Sequence, residues 1–308
     1  MQISVNQKFE NIAVVVRTIT KKVDQNNKGY FHLQVSIGLK SYDAKIWSDD
    51  EKINNEIIPG SIAFISGIAR DFKGTTQLHV SAIERIFNPS QELINSVLPT
   101  GFANETEMVN EINKLIDTIQ NPYIKSLLQN IFEHQEVKKH FFKKAAGAEI
   151  HHAYIGGLAQ HTIEVAKLVK NYCEVFSYIK YDVAMASALL HDIGKIFELS
   201  SFPENKYTTR GRMLGHITLG YELVSRMISE IKDFPGELKL DIQHCILAHH
   251  GMLEMASPVV PMTIEAIAVH NADKASSEIN GFNLAIQRDT GTDAWTEYSP
   301  AYKRYIKK

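Results

Sequence analysis

The sequence predicts two structures in series, a small five-stranded β-barrel followed by an all-α helical bundle. Short β-branched runs with partial alternation extend to about residue 87, and from about Gln91 apolar residues recur every three or four positions instead. Polar turn clusters punctuate the first part at strand-length intervals. Of the 13 histidines, ten lie between His140 and His270, and only His32 and His79 fall in the first 130 residues. The chain thus divides into a first part without metal chemistry and a second part built for it.

The strands are read in order. AVVVRTITKKV (13–23) ends at the turn DQNNKG, and YFHLQVSIGL (30–39) and YDAKIW (42–47) follow. After a non-strand piece (50–58) come PGSIAFISGIARDF (59–72), a turn at Lys73-Gly74, and TTQLHVSAIERI (75–86). Five strands with an insert between the third and fourth are the pattern of an OB-fold; a generic β-sandwich is the other arrangement this spacing allows. The helical part begins with ELINSVLPT, EMVNEINKLIDTIQ (107–120) and YIKSLLQNIFEHQEVKKHFFKKA (123–145), and Pro99-Thr100-Gly101 marks a break. Nearly everything from 158 to 280 reads as helix. The boundaries expected are 1–90 for the barrel, 91–150 for a linker and helical lead-in, 151–290 for the helical bundle, and 291–308 for a tail.

With 308 residues and 44% hydrophobic content, the chain can bury a core in each part. A net charge of −2 excludes a protein that coats nucleic acid by global basicity, so such binding must be local. Cys173 and Cys245 sit in apolar segments without paired spacing and read as reduced, buried thiols. No basic leader and no apolar run of the roughly 20 residues that cross a bilayer is present, so the expected location is the cytoplasm, with no membrane partner.

The most informative segment is ALLHDIGK (188–195), where Ala188, Leu189 and Leu190 lead into His191 and Asp192 and Ile193 follows, so that apolar positions flank an imidazole and a carboxylate. Burying such groups unpaired is costly, which favours a metal. His161, His216, His249, His250 and Asp273 stand on separate helical segments, and helices that each offer one or two inward ligands can enclose ions in a bundle core. An all-nitrogen-and-oxygen donor set without thiolate points to hydrolysis. Asp192 is the natural bridge if two ions bind. Adjacent helical residues point about 100° apart, so the pair is not expected to bind one ion in the same way. Either can be the ligand while the other faces substrate; His249 is taken as the ligand and His250 as the substrate-facing residue. Gly194 is expected to terminate the helix before it. His244 and His270 read as satisfied core or surface residues, and the pair His151-His152 has no role fixed by the sequence.

ALLHDIGK, GLAQHT around His161, His216, AHHG and the late Asp273 resemble the HD superfamily of metal-dependent phosphohydrolases. The preceding barrel, HHAYIGGLAQHT (151–162) and the ending DAWTEYSPAYKRYIKK resemble the YhaM-type 3′–5′ exoribonucleases, in which an OB-fold RNA-binding domain precedes an HD nuclease domain. The resemblance implies His161, His191, Asp192 and Asp273 as core ligands, with His216 and the 249–250 pair supplying a second ion. It implies a site for two divalent ions per chain; for a His and carboxylate donor set Mn²⁺ is expected first, with Mg²⁺, Co²⁺ or Fe²⁺ also suited. Single-stranded RNA is the implied substrate, with single-stranded DNA a second, and homo-oligomers are compatible with it.

Substrate contacts follow from the same reading. Asp192 and Lys195 are the expected catalytic pair, the lysine adding positive charge for the phosphate. Arg210 and Arg212, in the polar loop PENKYTTRGR (203–212), are candidates for gripping the RNA backbone. On the barrel, Tyr30, Phe31 and Trp47 are candidates for base stacking. Tyr42, Phe64 and Phe72 also lie in or beside strands, interleaved with Lys21, Lys22, Lys28, Lys40, Lys45, Arg70 and Lys73. Residues 1–90 carry 11 Lys and Arg against 9 Asp and Glu, which supports a local groove and not a broad basic face. The alternatives are a phosphohydrolase of small (di)nucleotides, against which the barrel argues, and a non-enzymatic nucleic-acid-binding protein, against which the full ligand series argues.

Overall fold

Alternating β-branched residues turn one face of a sheet inward, and here they do so around a closed circle. The computed structural model describes residues 3–38, 40–48, 50–72, 74–98, 104–148, 152–289, 291 and 293–308; Lys73, His151 and the break Pro99-Thr100-Gly101 lie outside the described residues. The chain forms two compact units. One comprises Met1–Thr100 with Phe202–Asn205 and Asn283–Lys308, the other Gly101–Ser201 with Lys206–Phe282.

In the first unit the strands are β1 (Lys8–Val23), β2 (Gly29–Ile37), β3 (Lys40–Ile46), β4 (Ile62–Phe72) and β5 (Thr75–Ile86), with the short helix α1 (Glu51–Glu56) between β3 and β4. They close in the order β1-β2-β3-β5-β4. All pairings are antiparallel except β3 with β5, which run parallel over Asp43–Ile46 and Gln77–Val80. The expected five-stranded barrel with its insert is therefore present. Its interior is filled by Val14, Val16, Phe31, Leu33, Val35, Ala44, Ala63, Ile65 and Leu78, all buried. The long strand β1 pairs with β4 along its first half and with β2 along its second, and register shifts at Phe9/Ile12 and Val16/Thr18 let it bend between them. A third shift falls at Gly67, where a Cβ would stand 2.1 Å from the His79 carbonyl oxygen, so only glycine fits. Part of the expected linker is folded: α2 (Gln91–Val97) is N-capped by Ser90, and Val97 and Leu98 are buried.

The second unit is helical: α3 (Glu105–Asp117), α4 (Pro122–Glu133), α5 (Gln135–His140), α6 (Gly157–Val175), α7 (Tyr181–Leu190), α8 (Lys195–Glu198), α9 (Thr209–Ser229), α10 (Gly236–Ala248) and α11 (Ile264–Arg288), of which the residues to Phe282 belong here. The α3 to α5 segment contributes Ile112, Leu127, Leu128, Ile131 and Phe141 to the same core as Leu158, Val165, Leu189, Val224 and Val269. It is an integral part of this unit and not a spacer. No helix among the described residues is long and apolar enough to cross a membrane.

Gly194 departs from expectation. It is right-handed, with φ −66°, and stands at the start of α8; it is not the left-handed stop of α7. Its glycine is required by crowding, because a Cβ there would lie 2.0 Å from the His216 carbonyl oxygen and 2.4 Å from the Gly220 nitrogen, both on α9. Gly194→Ala is expected to destabilise the metal-free protein by about 1–3 kcal/mol, the usual cost of overpacking. At Gly236, by contrast, a Cβ meets nothing within 4 Å, so Gly236→Ala should change stability by less than about 0.5 kcal/mol. Thermal denaturation of both variants beside the parent checks the contrast; equal midpoints for the two would remove the crowding argument.

Candidate metal centre

Helix α7 is buried from Val183 through Leu190, and a helix apolar all round belongs in the middle of a bundle. It ends at His191, whose Nδ1–H donates to the Ala188 carbonyl at 2.8 Å, satisfying one of the orphan acceptors of the last turn. The same device recurs at the end of α10, where His249 Nδ1–H donates to the Ile246 carbonyl at 2.7 Å. Both rings are fully buried and turn Nε2 inward. His161 comes from the buried face of α6, and Asp273 from α11. His216 follows Gly215, whose φ of 69° breaks α9 and frees the His216 backbone N–H, which donates to Glu198 Oε1 at 3.0 Å. His216 Nδ1–H donates to the same oxygen, also at 3.0 Å.

Asp192 lies at the centre. Its Oδ2 is 3.4 Å from the Nε2 atoms of both His161 and His191, and 2.8 Å from the Lys195 ammonium. Its Oδ1 is 3.3 Å from His216 Nε2 and 3.6 Å from His249 Nε2. Asp273 Oδ1 is 3.2 Å from His161 Nε2. Two groups of donors result, with ligand atoms in each within 4.8 Å of one another: His161, His191 and Asp192 in one, and His216, His249 and His250 in the other. The Asp192 carboxylate presents one oxygen to each.

The hydrogen bonds at Nδ1 decide what Nε2 can do. Ser276 Oγ–H donates to Glu164 Oε2 at 2.7 Å, so it accepts from His161 Nδ1–H at 3.0 Å. His191, His216 and His249 are likewise protonated on Nδ1 by their acceptors. In the neutral form each therefore turns a lone pair on Nε2 into the site. His161 Nε2 and His191 Nε2 face each other at 3.1 Å, a contact that two lone pairs cannot hold without a cation or proton between them. Asp192 Oδ1, His216 Nε2 and His249 Nε2 are buried with no hydrogen-bond partner. These observations fit divalent metal binding.

The charge balance agrees. Burial pulls His161 down, but Asp192 and Asp273 outweigh it and raise its pKa to about 9. Burial pushes Asp192 up, and Lys195 with the neighbouring imidazoles holds it well below the ordinary carboxylate value. Burial lowers both His249 and His250, which keeps them neutral and able to act as ligands. Glu164 is raised by burial and then drawn down to about 2 by hydrogen bonds from His152, Ser276 and Gln160, so it stays an anion behind His161.

The structure brings His161, His191, Asp192, His216, His249 and Asp273 together. His250 joins them because α10 stops at Ala248, so the helical stagger no longer separates the pair; the two rings lie 4.5 Å apart, and His250 Nδ1–H donates to the Met255 carbonyl. Lys195 spends its charge on Asp192. Arg210 and Arg212 stand on the first turns of α9 and not in a loop, and Arg210 pairs with Glu222 at 2.7 Å. On the barrel, Phe31 is a correction: it points inward from β2 and is fully buried, so its ring cannot stack on a base. Tyr42 is buried as well. Tyr30 and Trp47 lie 5.1 Å apart with Lys28 over Trp47, and Lys45 is over both Tyr30 and Phe72. Glu164, Ser276 and Glu198 were not singled out from the sequence, whereas His270 reads there as a satisfied residue. The first three stand three residues after His161, Asp273 and Lys195, so helical spacing from each recognised residue was the available signal. His270 donates to the His249 carbonyl at 2.8 Å, and its ring fills the space beside Gly251.

An HD-domain family model matches residues 158–278, which include every residue of this cluster. The protein named 3′–5′ exoribonuclease YhaM of Shouchella clausii (strain KSM-K16) is 28% identical over 276 residues, covering 89% of this chain and 85% of that one. The one of Bacillus subtilis (strain 168) is 29% identical over 283 residues, covering 89% and 87%.

Two outcomes follow. At pH 7.5 the metal-free site holds a proton on His161, because its pKa lies above that pH, and an incoming ion must displace it. Mn²⁺ binding should therefore release about one proton per first ion, read as the dependence of calorimetric heat on buffer ionisation enthalpy; no release would contradict the arrangement. Ser276→Ala should weaken metal binding about 10–100-fold by freeing the His161 ring, and Ser276→Thr should restore it. Metal content after dialysis against graded chelator measures both.

Proposed function

From the HD domain that this chain carries and its likeness to 3′–5′ exoribonucleases over most of its length, we propose that it is a metal-dependent 3′–5′ exoribonuclease acting on single-stranded RNA. The observation that carries the chemistry is the buried carboxylate of Asp192, shared between two groups of inward-facing imidazole lone pairs. Divalent ions held by such a site supply an activated water and neutralise charge on the scissile phosphate. His161, His191, Asp192 and Asp273 would hold one ion, and Asp192, His216, His249 and His250 the other. Mn²⁺ suits this nitrogen and oxygen set.

The chain's own residues do the rest. Lys195 keeps Asp192 ionised and holds its Oδ2 at 2.8 Å, so the carboxylate stays in the orientation that would let it serve both ions. Ser276 with Glu164, and Glu198, hold the rings of His161 and His216 in a single tautomer. The imidazoles of His161, His191 and His249 are fully buried, while His216, His250 and Asp273 retain some exposure and would mark the side from which a phosphate arrives. Arg212, exposed at the start of α9, would meet the RNA backbone. On the barrel, Tyr30, Trp47 and Phe72 with Lys28 and Lys45 would take bases and phosphates, a sequence-tolerant mode because every base has a π-face. Single-stranded DNA offers the same two groups. Cys173 and Cys245 are unpaired, and burial pushes Cys245 up to about 11, in keeping with unreactive thiols in a cytoplasmic protein.

A 5′-labelled single-stranded oligoribonucleotide followed on a sequencing gel tests the reading. Stepwise shortening from the 3′ end with Mn²⁺, abolished by chelator, is expected. Asp192→Ala should lose the activity and the bound metal yet still retard the oligonucleotide. Trp47→Ala should cleave with kcat unchanged and KM raised about tenfold, given roughly 1–3 kcal/mol per stacked base. Hydrolysis of bis-p-nitrophenyl phosphate without any shortening of RNA would instead assign a small-nucleotide substrate.

A further inference from the structure

The segment from Ala294 to Lys308 is held by a dense set of backbone bonds and by a salt bridge to Asp289. Residues 294–308 fold into a two-stranded pin, with isolated bridges at Trp295–Lys307 and Ser299–Arg304. Thr296 N donates to the Ile306 carbonyl at 2.8 Å, Lys308 N to the Ala294 carbonyl at 2.9 Å, and Ser299 N to the Arg304 carbonyl at 2.9 Å. The Lys308 ammonium pairs with the Asp289 carboxylate and reaches the Gly291 carbonyl at 2.6 Å. Ile306 and Thr296 are buried on the inner face. What these bonds hold out to solvent is aromatic: Trp295 is 53% exposed, Tyr298 50% and Tyr305 61%.

The pin arranges these rings together. Tyr298 and Tyr305 meet edge to face at 5.5 Å, Lys307 pairs across from Trp295, and Tyr305, two residues before Lys307, shares its face. Lys303 and Arg304 are exposed at the bend. Residues 293–308 carry four aromatics in 16 positions, against 9% aromatic content in the whole chain, so the enrichment is local. Their one large aliphatic residue, Ile306, is buried. A protein-binding patch also carries tyrosine and tryptophan but is depleted of lysine at its centre, whereas here Lys303 and Lys307 stand exposed among the rings. Rings interleaved with cations are instead what unpaired bases and phosphates require, and the barrel cluster of Tyr30, Trp47 and Phe72 with Lys28 and Lys45 has the same make-up.

We propose that this C-terminal pin is a second contact for single-stranded RNA, with bases on Trp295, Tyr298 and Tyr305 and phosphates at Lys303, Arg304 and Lys307. The proposal rests on the exoribonuclease reading above.

The chain contains two tryptophans, Trp47 and Trp295, so each site can report alone. In the full-length, chelator-treated Trp47→Phe protein, all tryptophan emission comes from the pin. A labelled oligouridylate of about twelve nucleotides, within the site sizes of single-strand binders, should quench that emission saturably, in step with anisotropy of the label. Tyr305→Ala combined with Lys307→Ala should weaken binding about tenfold, and Tyr305→Phe, which keeps the ring, should not. Binding by anisotropy with Trp295 emission unchanged would overturn the proposal while leaving the exoribonuclease reading intact. Emission that shifts with protein concentration before any RNA is added would overturn it in favour of contact between two copies of this chain. If the oligouridylate fails to bind the parent protein at all, the RNA reading of the whole chain falls, and the pin falls with it.

Discussion

A carboxylate shut inside a helical bundle is the constraint around which the second unit is organised. Taking Asp192 out of water costs several kcal/mol unless opposite charge and hydrogen bonds replace its hydration. Lys195 supplies one charge from a single turn downstream, and its own ammonium is stabilised in return, since burial would lower its pKa and Asp192 raises it. One cation satisfies one oxygen. The other, Oδ1, faces only the lone pairs of His216 and His249. The geometry is complete as a receptacle for cations and incomplete as a self-contained protein core.

Helix ends do much of the positioning. His191 and His249 both stand just past the last turn of a helix and both bond the carbonyl three residues back, so a backbone group that would otherwise lack a partner fixes an imidazole. His216 is oriented by a different break, the left-handed Gly215, which turns its amide toward Glu198. Close backbone approach at Gly194 then sets α8 and α9 at the spacing that lets Glu198 reach His216. The directions of His191, His249 and His250 are thus set by main-chain carbonyls, that of His216 by Glu198, and that of His161 by a Ser276 hydroxyl itself held by Glu164.

Period-two and period-3.6 patterns depend only on which residues are apolar, and for that reason the five strands, their insert and the helical bundle were legible in the sequence. The metal cluster was legible because its residue types are costly to bury unpaired. Phe31 was not separable from Trp47, since which ring faces in depends on strand register: Phe31 falls in phase with Leu33 and Val35, and Trp47 follows the last paired residue of β3. The reach of His250 was hidden because it depends on α10 stopping one residue before His249. Ser276 and Glu164 were hidden for a third reason. A serine and a glutamate on amphipathic helices look like ordinary surface residues until the helices that carry them are placed side by side.

Closure of the barrel has a consequence of its own. With β3 and β5 zipped in parallel over Asp43–Ile46 and Gln77–Val80, the sheet closes on itself, and less backbone is left along an open edge than in an open sheet of the same strands. Such an edge is what recruits a foreign strand, whether a peptide ligand or a misfolded copy. Closure therefore shortens the edge open to such pairing, and most of the barrel's outer surface meets a partner through side chains.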